Sequence, residues 1–232
     1  VGRRLFHWTA NPKLAKSGRF ACASCHFEGS EDKQVWHTAE GPRQTPALAG
    51  RLAGTQPFNW KGTEGELVGN MRNTIERMGG HGLTGQDEKA LELFLLNGLD
   101  RAPNPAAGKP LSEAAKRGQQ IFFDPLVGCA SCHTPPTFTD GKQHQIGTVS
   151  SATGGSSVAT HCSPGAASTQ VEEDAVFDTP SLIGLHATAP YLHDGSAQTL
   201  HDVLERTAGT MGNTSHLDGN QRADLIAFLL TL

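Results

Sequence analysis

The five residues Cys22-Ala23-Ser24-Cys25-His26 recur unchanged as Cys129-Ala130-Ser131-Cys132-His133 in a chain of 232 residues. Cys-x-x-Cys-His is the attachment signature of a c-type haem: two thiols on one short turn form thioethers with the porphyrin, and the adjacent imidazole becomes the iron's proximal ligand. On this reading Cys22 and Cys25 anchor one haem above His26, and Cys129 and Cys132 anchor a second above His133. A zinc site built from two Cys-x-x-Cys pairs, or a thioredoxin-like redox pair, is the competing chemistry. The hundred-residue gap and the His after each pair favour two separate haem modules.

The repeat extends beyond the haem words. "LTGQDEKALELFLL" (83–96) aligns with "LDGNQRADLIAFLL" (217–230). Thr84 and Asp218 stand at N-cap positions. Leu91, Phe94 and Leu95 match Leu225, Phe228 and Leu229 at the spacing of one apolar helix face. Upstream of each haem word, "GRRLF" from Gly2 parallels "GQQIF" from Gly118, where glycine admits a crossing helix. In the second copy Ser112 caps a helix whose Ala114, Gly118, Ile121 and Phe122 share a face; the first copy starts at its glycine, about one helical turn short. Each half thus runs helix, haem-binding turn, loops, closing helix. The expected fold is all-α, two tandem cytochrome c-like domains each enclosing one covalently bound haem, over 1–105 and 106–232. The Pro-rich "LDRAPNPAAGKP" (99–110) forms the link.

Composition agrees with this plan and excludes other classes. A net charge of −4 and a pI near 6.3 leave no basic stripe for nucleic acid. The longest apolar run, near the C-terminus, is too short for a membrane span. Cys162 is left over once four cysteines hold haem; with His161 beside it in the Gly/Ser/Thr-rich stretch 147–169, it reads as a free thiol in a surface loop. Haem c is attached outside the bacterial cytoplasm, so a processed periplasmic or extracytoplasmic protein is expected.

Function turns on the sixth iron ligand, because a haem closed on both faces passes electrons while one that opens activates a small molecule. Met211, in "TAGTMGNTS" shortly before the closing helix, is the candidate for the second haem; the stretch is not an apolar stripe that would make it core filler. For the first haem His37, Met78 and His81 all qualify, and spacing does not choose among them.

At these residues the chain resembles the bacterial diheme cytochrome c peroxidases and the related methylamine-dehydrogenase-maturing diheme enzymes. The resemblance covers nearly the whole chain: "WHTAEGPRQTPAL" and "FNWKG" in the first half, "FDTPSLIGLHATAPYLHDGSAQTLHDVL" and "MGNTSHLDGNQRADLIAFLLTL" in the second. It implies a peroxidatic haem in the first domain and a Met-ligated, electron-receiving haem in the second. His37 resembles the family's distal His, one residue out of register. Met211 resembles its Met ligand, where the maturation enzymes place a Tyr. Trp60 resembles the Trp lying between the haems as an electron bridge, and Gln44 falls where an Asn helps bind an interdomain calcium ion.

The family's distal Gln and Glu are replaced. Asn70 sits near the Gln position, and Glu76, four residues early, is the nearest carboxylate to the Glu position. As an enzyme the chain would take electrons from a small cytochrome c or cupredoxin, pass them through Trp60, and reduce hydrogen peroxide to water. As a non-catalytic electron-transfer protein it would keep both haems permanently six-coordinate. The resemblance leaves room for a homodimer.

Overall fold

The computed structural model describes residues 1–38, 40–148 and 176–232. Cys162, His161 and most of the 147–169 stretch lie outside these residues.

The first half contains α1 (Gly2–His7), α2 (Cys22–Cys25), the ribbon β1 (Val35–Thr38) with β2 (Gly41–Gln44), α3 (Leu67–Arg77) and α4 (Gly85–Asn97). The second contains α5 (Glu113–Phe123), α6 (Cys129–Cys132), the ribbon β3 (Gln143–His144) with β4 (Phe177–Asp178), α7 (Leu200–Arg206) and α8 (Gly219–Leu229). Each haem word is therefore a single helical turn of its own. The expected caps are in place. Thr84 Oγ1 accepts from Asp87 N–H at 3.4 Å, Ser112 Oγ from Ala115 N–H at 3.1 Å, and Asp218 Oδ1 from Gln221 N–H at 2.8 Å.

The closing helices bury the faces their spacing marks. Leu91 and Leu95 are buried in one core with Leu5, Phe6 and Phe58; Leu225, Phe228 and Leu229 are buried in another with Phe122 and Val127. Fully burying each such side chain is worth about 1.5–3 kcal/mol before entropy is counted. The opening helices cross them through glycine. A Cβ on Gly2 would collide with the Ala90 carbonyl of α4, and one on Gly118 with the Asp224 carbonyl of α8. Between α4 and α5 there is neither helix nor strand. Asn104 ties this segment to the end of α8 by donating from Nδ2 to the Leu230 carbonyl at 3.1 Å.

The all-α expectation needs one amendment, because the helix-rich chain carries two short antiparallel ribbons. Val35 pairs with Gln44 in one, Gln143 with Asp178 in the other. Both returning strands run into Thr-Pro (45–46 and 179–180), where proline withdraws a donor and disfavours helix before it.

Candidate haem centres and the seam between the halves

The two haem turns present their ligating groups alike. Cys22, Cys25, Cys129 and Cys132 are half-buried, and burial pushes the Cys22 and Cys129 thiols up to about 11. Burial likewise lowers His26, to about 4, and lowers His133, so both imidazoles are neutral at neutral pH, as iron ligation requires. His133 Nδ1 lies 3.0 Å from the Phe138 carbonyl, which assigns its proton to that bond and leaves Nε2 as the donor to a metal. In the first half the Pro46 and Ser30 carbonyls work against the His26 shift, but Nδ1 is buried short of a full hydrogen bond. These features fit haem c at both turns.

Around each turn the geometry repeats beyond the haem word. Trp36 Nε1–H donates to Asp32 Oδ2 at 2.9 Å and to Thr45 Oγ1 at 3.0 Å. In the second half His144 Nε2 lies 2.9 Å from Asp140 Oδ2, and Asp140 in turn bonds Thr179. Ribbon register makes Trp36 and His144 equivalent, and Asp32 and Asp140 each act electrostatically on their proximal His. The pair holding each carboxylate is therefore the same device with a different ring.

The Met loops also match. Residues 57–79 superimpose on 190–212 in sequence without a gap, aligning Met78 with Met211. Met78 N–H donates to the Thr74 carbonyl at 3.1 Å and Met211 N–H to the Thr207 carbonyl at 2.9 Å. Each Thr hydroxyl turns back onto the carbonyl four residues earlier, at 2.9 Å on Asn70 and 2.7 Å on Val203. Met78 thus occupies the place in its half that Met211 occupies in the other.

The remaining distal candidates are not gathered in one place. His37 is exposed on β1; the ribbon's tip reaches the end of α3 through Glu40 and Arg77, 3.5 Å apart. Asn70 and Glu76 lie six residues apart on α3, which places them on different sides of that helix. Glu76 instead lines a cavity of about 240 Å³ with Arg72, Ile75, Gly80, His81 and Leu83.

Trp60 lies at the seam. Its Nε1–H donates to the Gln44 carbonyl at 2.8 Å, and its own carbonyl accepts from Asp178 N–H at 2.9 Å. Reciprocally, Gln44 N–H donates to the His193 carbonyl at 2.6 Å. Gln44 and Asp178 are equivalent, as are Trp60 in "PFNWKG" (57–62) and His193 in "PYLHDG" (190–195). The two halves therefore clasp each other by one bond and its pseudosymmetric counterpart. Gln44 Nε2 donates to the Pro190 carbonyl at 2.8 Å while its Oε1 is buried without a hydrogen bond. Arg51 adds a crossing bond to the Ser181 carbonyl. Asp178 Oδ1 is also buried and unbonded, and burial together with Asp140 raises this carboxyl to about 7.

Motif-led reading does not single out His193, His144, Asp32 or Asp140. The signal that finds them is a second layer of the repeat, "TPALAG" (45–50) against "TPSLIG" (179–184) and "PFNWKG" against "PYLHDG".

These features define a helix-rich, c-type cytochrome-like protein, and comparison with known proteins agrees. A family model described as RoxA-like, cytochrome c-like matches residues 176–209. Hydrazine synthase subunit gamma of Kuenenia stuttgartiensis is 29% identical over 93% of this chain and 72% of its own length. The methylamine utilization protein MauG of Methylorubrum extorquens is 28% identical over 100% of this chain and 77% of its own. Cytochrome c551 peroxidase of Nitrosomonas europaea is 24% identical, covering 100% and 78%. A solved chain of K. stuttgartiensis hydrazine synthase superimposes with a TM-score of 0.78 at 26% identity, covering 100% of this chain and 86% of that one. The chain is thus similar over all or nearly all of its length to cytochrome c peroxidases, MauG and hydrazine synthase subunit gamma. Haem c is the cofactor these similarities support. No helix among the described residues is long and apolar enough to cross a membrane.

Proposed function

We propose that the protein is a periplasmic oxidoreductase of two domains, 1–105 and 106–232, that reduces hydrogen peroxide to water with electrons from a small cytochrome c or cupredoxin. Cys22, Cys25 and His26 would hold the first haem, and Cys129, Cys132, His133 and Met211 the second. When bound, the haems supply one-electron redox chemistry and an iron site for peroxide. Met211 would hold the second haem on the electron-receiving side. His37 would help hold the first haem and would release it when the second is reduced, a switched state rather than a fixed opening. Trp60 carries electrons across the seam. Glu76, which lines the cavity at the end of α3, would move a proton from the near to the far oxygen of peroxide; Asn70, on another side of α3, is not among that cavity's lining residues.

The observation that carries this reading is the cavity at the end of α3, lined by Glu76 and His81 and large enough for a small polar molecule. Calcium is a further proposed component: Gln44 would hold it through the buried, unbonded Oε1, with water completing the oxygen shell.

One observation favours a second reading. Met78 repeats Met211's backbone bond to the threonine four residues earlier, so a Met-closed first haem, and with it a purely electron-transferring protein, is the alternative. Electron paramagnetic resonance and optical spectra of the half-reduced protein, before and after peroxide, separate the two. A high-spin first haem that consumes peroxide, with its low-spin signal removed in His37→Ala, supports the enzyme. Two low-spin haems at every redox level, with Met78→Ala alone opening the first, sink it. The relatives' names divide among peroxidases, methylamine utilization proteins and a hydrazine synthase subunit, so peroxide consumption itself is the decisive readout.

A further inference from the structure

Trp60 accounts for one side of the seam, while the residue facing it from the second half has no assigned role. We infer that His193 is the second-half member of a two-ring electron bridge, the positioning residue through which an electron leaving the second centre couples to Trp60. The inference rests on the reading above that electrons pass between two haems; it does not depend on peroxide.

Three observations carry it. First, His193 is where the second half would have its own Trp60. Phe58 bridges Glu64 as Tyr191 bridges Ala197, and Asn59 and Leu192 adopt the same left-handed backbone, at φ 68° and 72°. A leucine held there is strained, and such strain persists only where the surroundings over-determine it. Second, the reciprocal Gln44 and Asp178 bonds to the His193 and Trp60 carbonyls fix both loops in register across the seam. Third, the rings meet: their centroids lie 6.5 Å apart at 75°, edge to face. His193 is 3% exposed and stacks on Phe177 at 4.0 Å and 20°, with the Arg43 guanidinium 5.4 Å from the far ring.

Electron tunnelling falls steeply across empty or water-filled gaps, and contacting π-systems reduce that loss. Imidazole is too hard to oxidise to hold the charge itself, whereas indole can, so the two rings divide the work. His193 provides coupling, and Trp60 can be a transient site. One electron leaves the second centre and one arrives at the first. No proton need move, since the Trp60 Nε1–H stays on the Gln44 carbonyl.

The test uses the full chain carrying both haems, without peroxide. The second haem is reduced by a flash, and the absorbance of the first reports arrival of the electron. We expect His193→Leu to slow transfer by an order of magnitude with both midpoint potentials unchanged, and His193→Phe to restore most of the rate. Trp60→His should be slow, and adding His193→Trp to it should recover much of the loss, because the swap retains both rings. A wild-type rate in His193→Leu overturns the inference. Should that variant fail to fold, a Trp60→His/His193→Trp protein no faster than Trp60→His overturns it instead. Wild-type protein that passes electrons but ignores peroxide would sink the peroxidase reading and leave this one standing. Wild-type protein that passes none would sink the bridge.

Discussion

The two halves share a plan down to single hydrogen bonds, and three of the equivalent positions where they part lie at the ribbons and the seam. Trp36 faces His144 in the alignment, Gln44 faces Asp178, and Trp60 faces His193. In the first half these side chains are an indole, an amide and an indole; in the second they are an imidazole, a carboxyl and an imidazole. The Asp32 carboxylate is held by an indole that always donates; Asp140 is held by an imidazole whose role depends on its proton. The scaffold is thus indifferent to which ring fills these places, and of the three pairs only Gln44 and Asp178 set an uncharged amide against a carboxyl that burial holds protonated up to about pH 7.

The largest test of that comparison lies in the helix crossings. Gly118→Val should cost above about 4 kcal/mol, because a side chain there meets the α8 backbone and α5 is an eleven-residue helix pinned along its length. Gly2→Val makes the same collision, but α1 has six residues and can move aside, so about 1–2 kcal/mol is expected. Urea unfolding of both variants checks this. Equal losses would show that the two crossings are equally rigid.

Next comes Asp178. Its folded pKa, about 7, lies above the ordinary aspartate value of 3.8, so the folded form holds an extra proton between those values. Stability from this group is therefore greatest below about pH 4 and declines as pH rises toward 7. Asp178→Asn should remove that decline, gaining about 1–2 kcal/mol at pH 8 relative to pH 4 once partial exposure is allowed for. Unfolding curves at the two pH values measure it. The matching Gln44→Ala variant should leave the pH slope untouched while weakening the seam, since its Nε2 bond to Pro190 is lost.

A smaller effect is expected in the strained loops. Asn59→Leu makes the first loop like the second, but it puts a branched side chain at positive φ and deletes the Asn59 Oδ1 bond from Lys61 N–H at 2.8 Å. A loss of about 1 kcal/mol in thermal or urea unfolding is expected. No loss would mean that the seam, rather than the local residue, pays for this backbone in both halves.

The haem words, the caps at Thr84, Ser112 and Asp218, and the buried faces of α4 and α8 were legible in sequence because each depends on residues within a few positions of one another. The candidate site was legible only in part. Met211 and Trp60 stand out through motif and resemblance, but Asn70 and Glu76 look like a pair in sequence and face different ways on α3. The ribbons carry no readable period, since β3 and β4 are two residues each.

By itself, then, the sequence determined that two like modules, each with a thiol-anchored imidazole, occupy one chain. Tertiary structure decided how they meet. Gln44 and His193, like Trp60 and Asp178, are more than a hundred residues apart, and nothing local specifies that one backbone bond will be returned by its counterpart or that an indole will face an imidazole. Such contacts exist only once both cores have formed and the two loops have been brought together, which is why the seam, and the electron path proposed across it, could be seen only in the folded molecule.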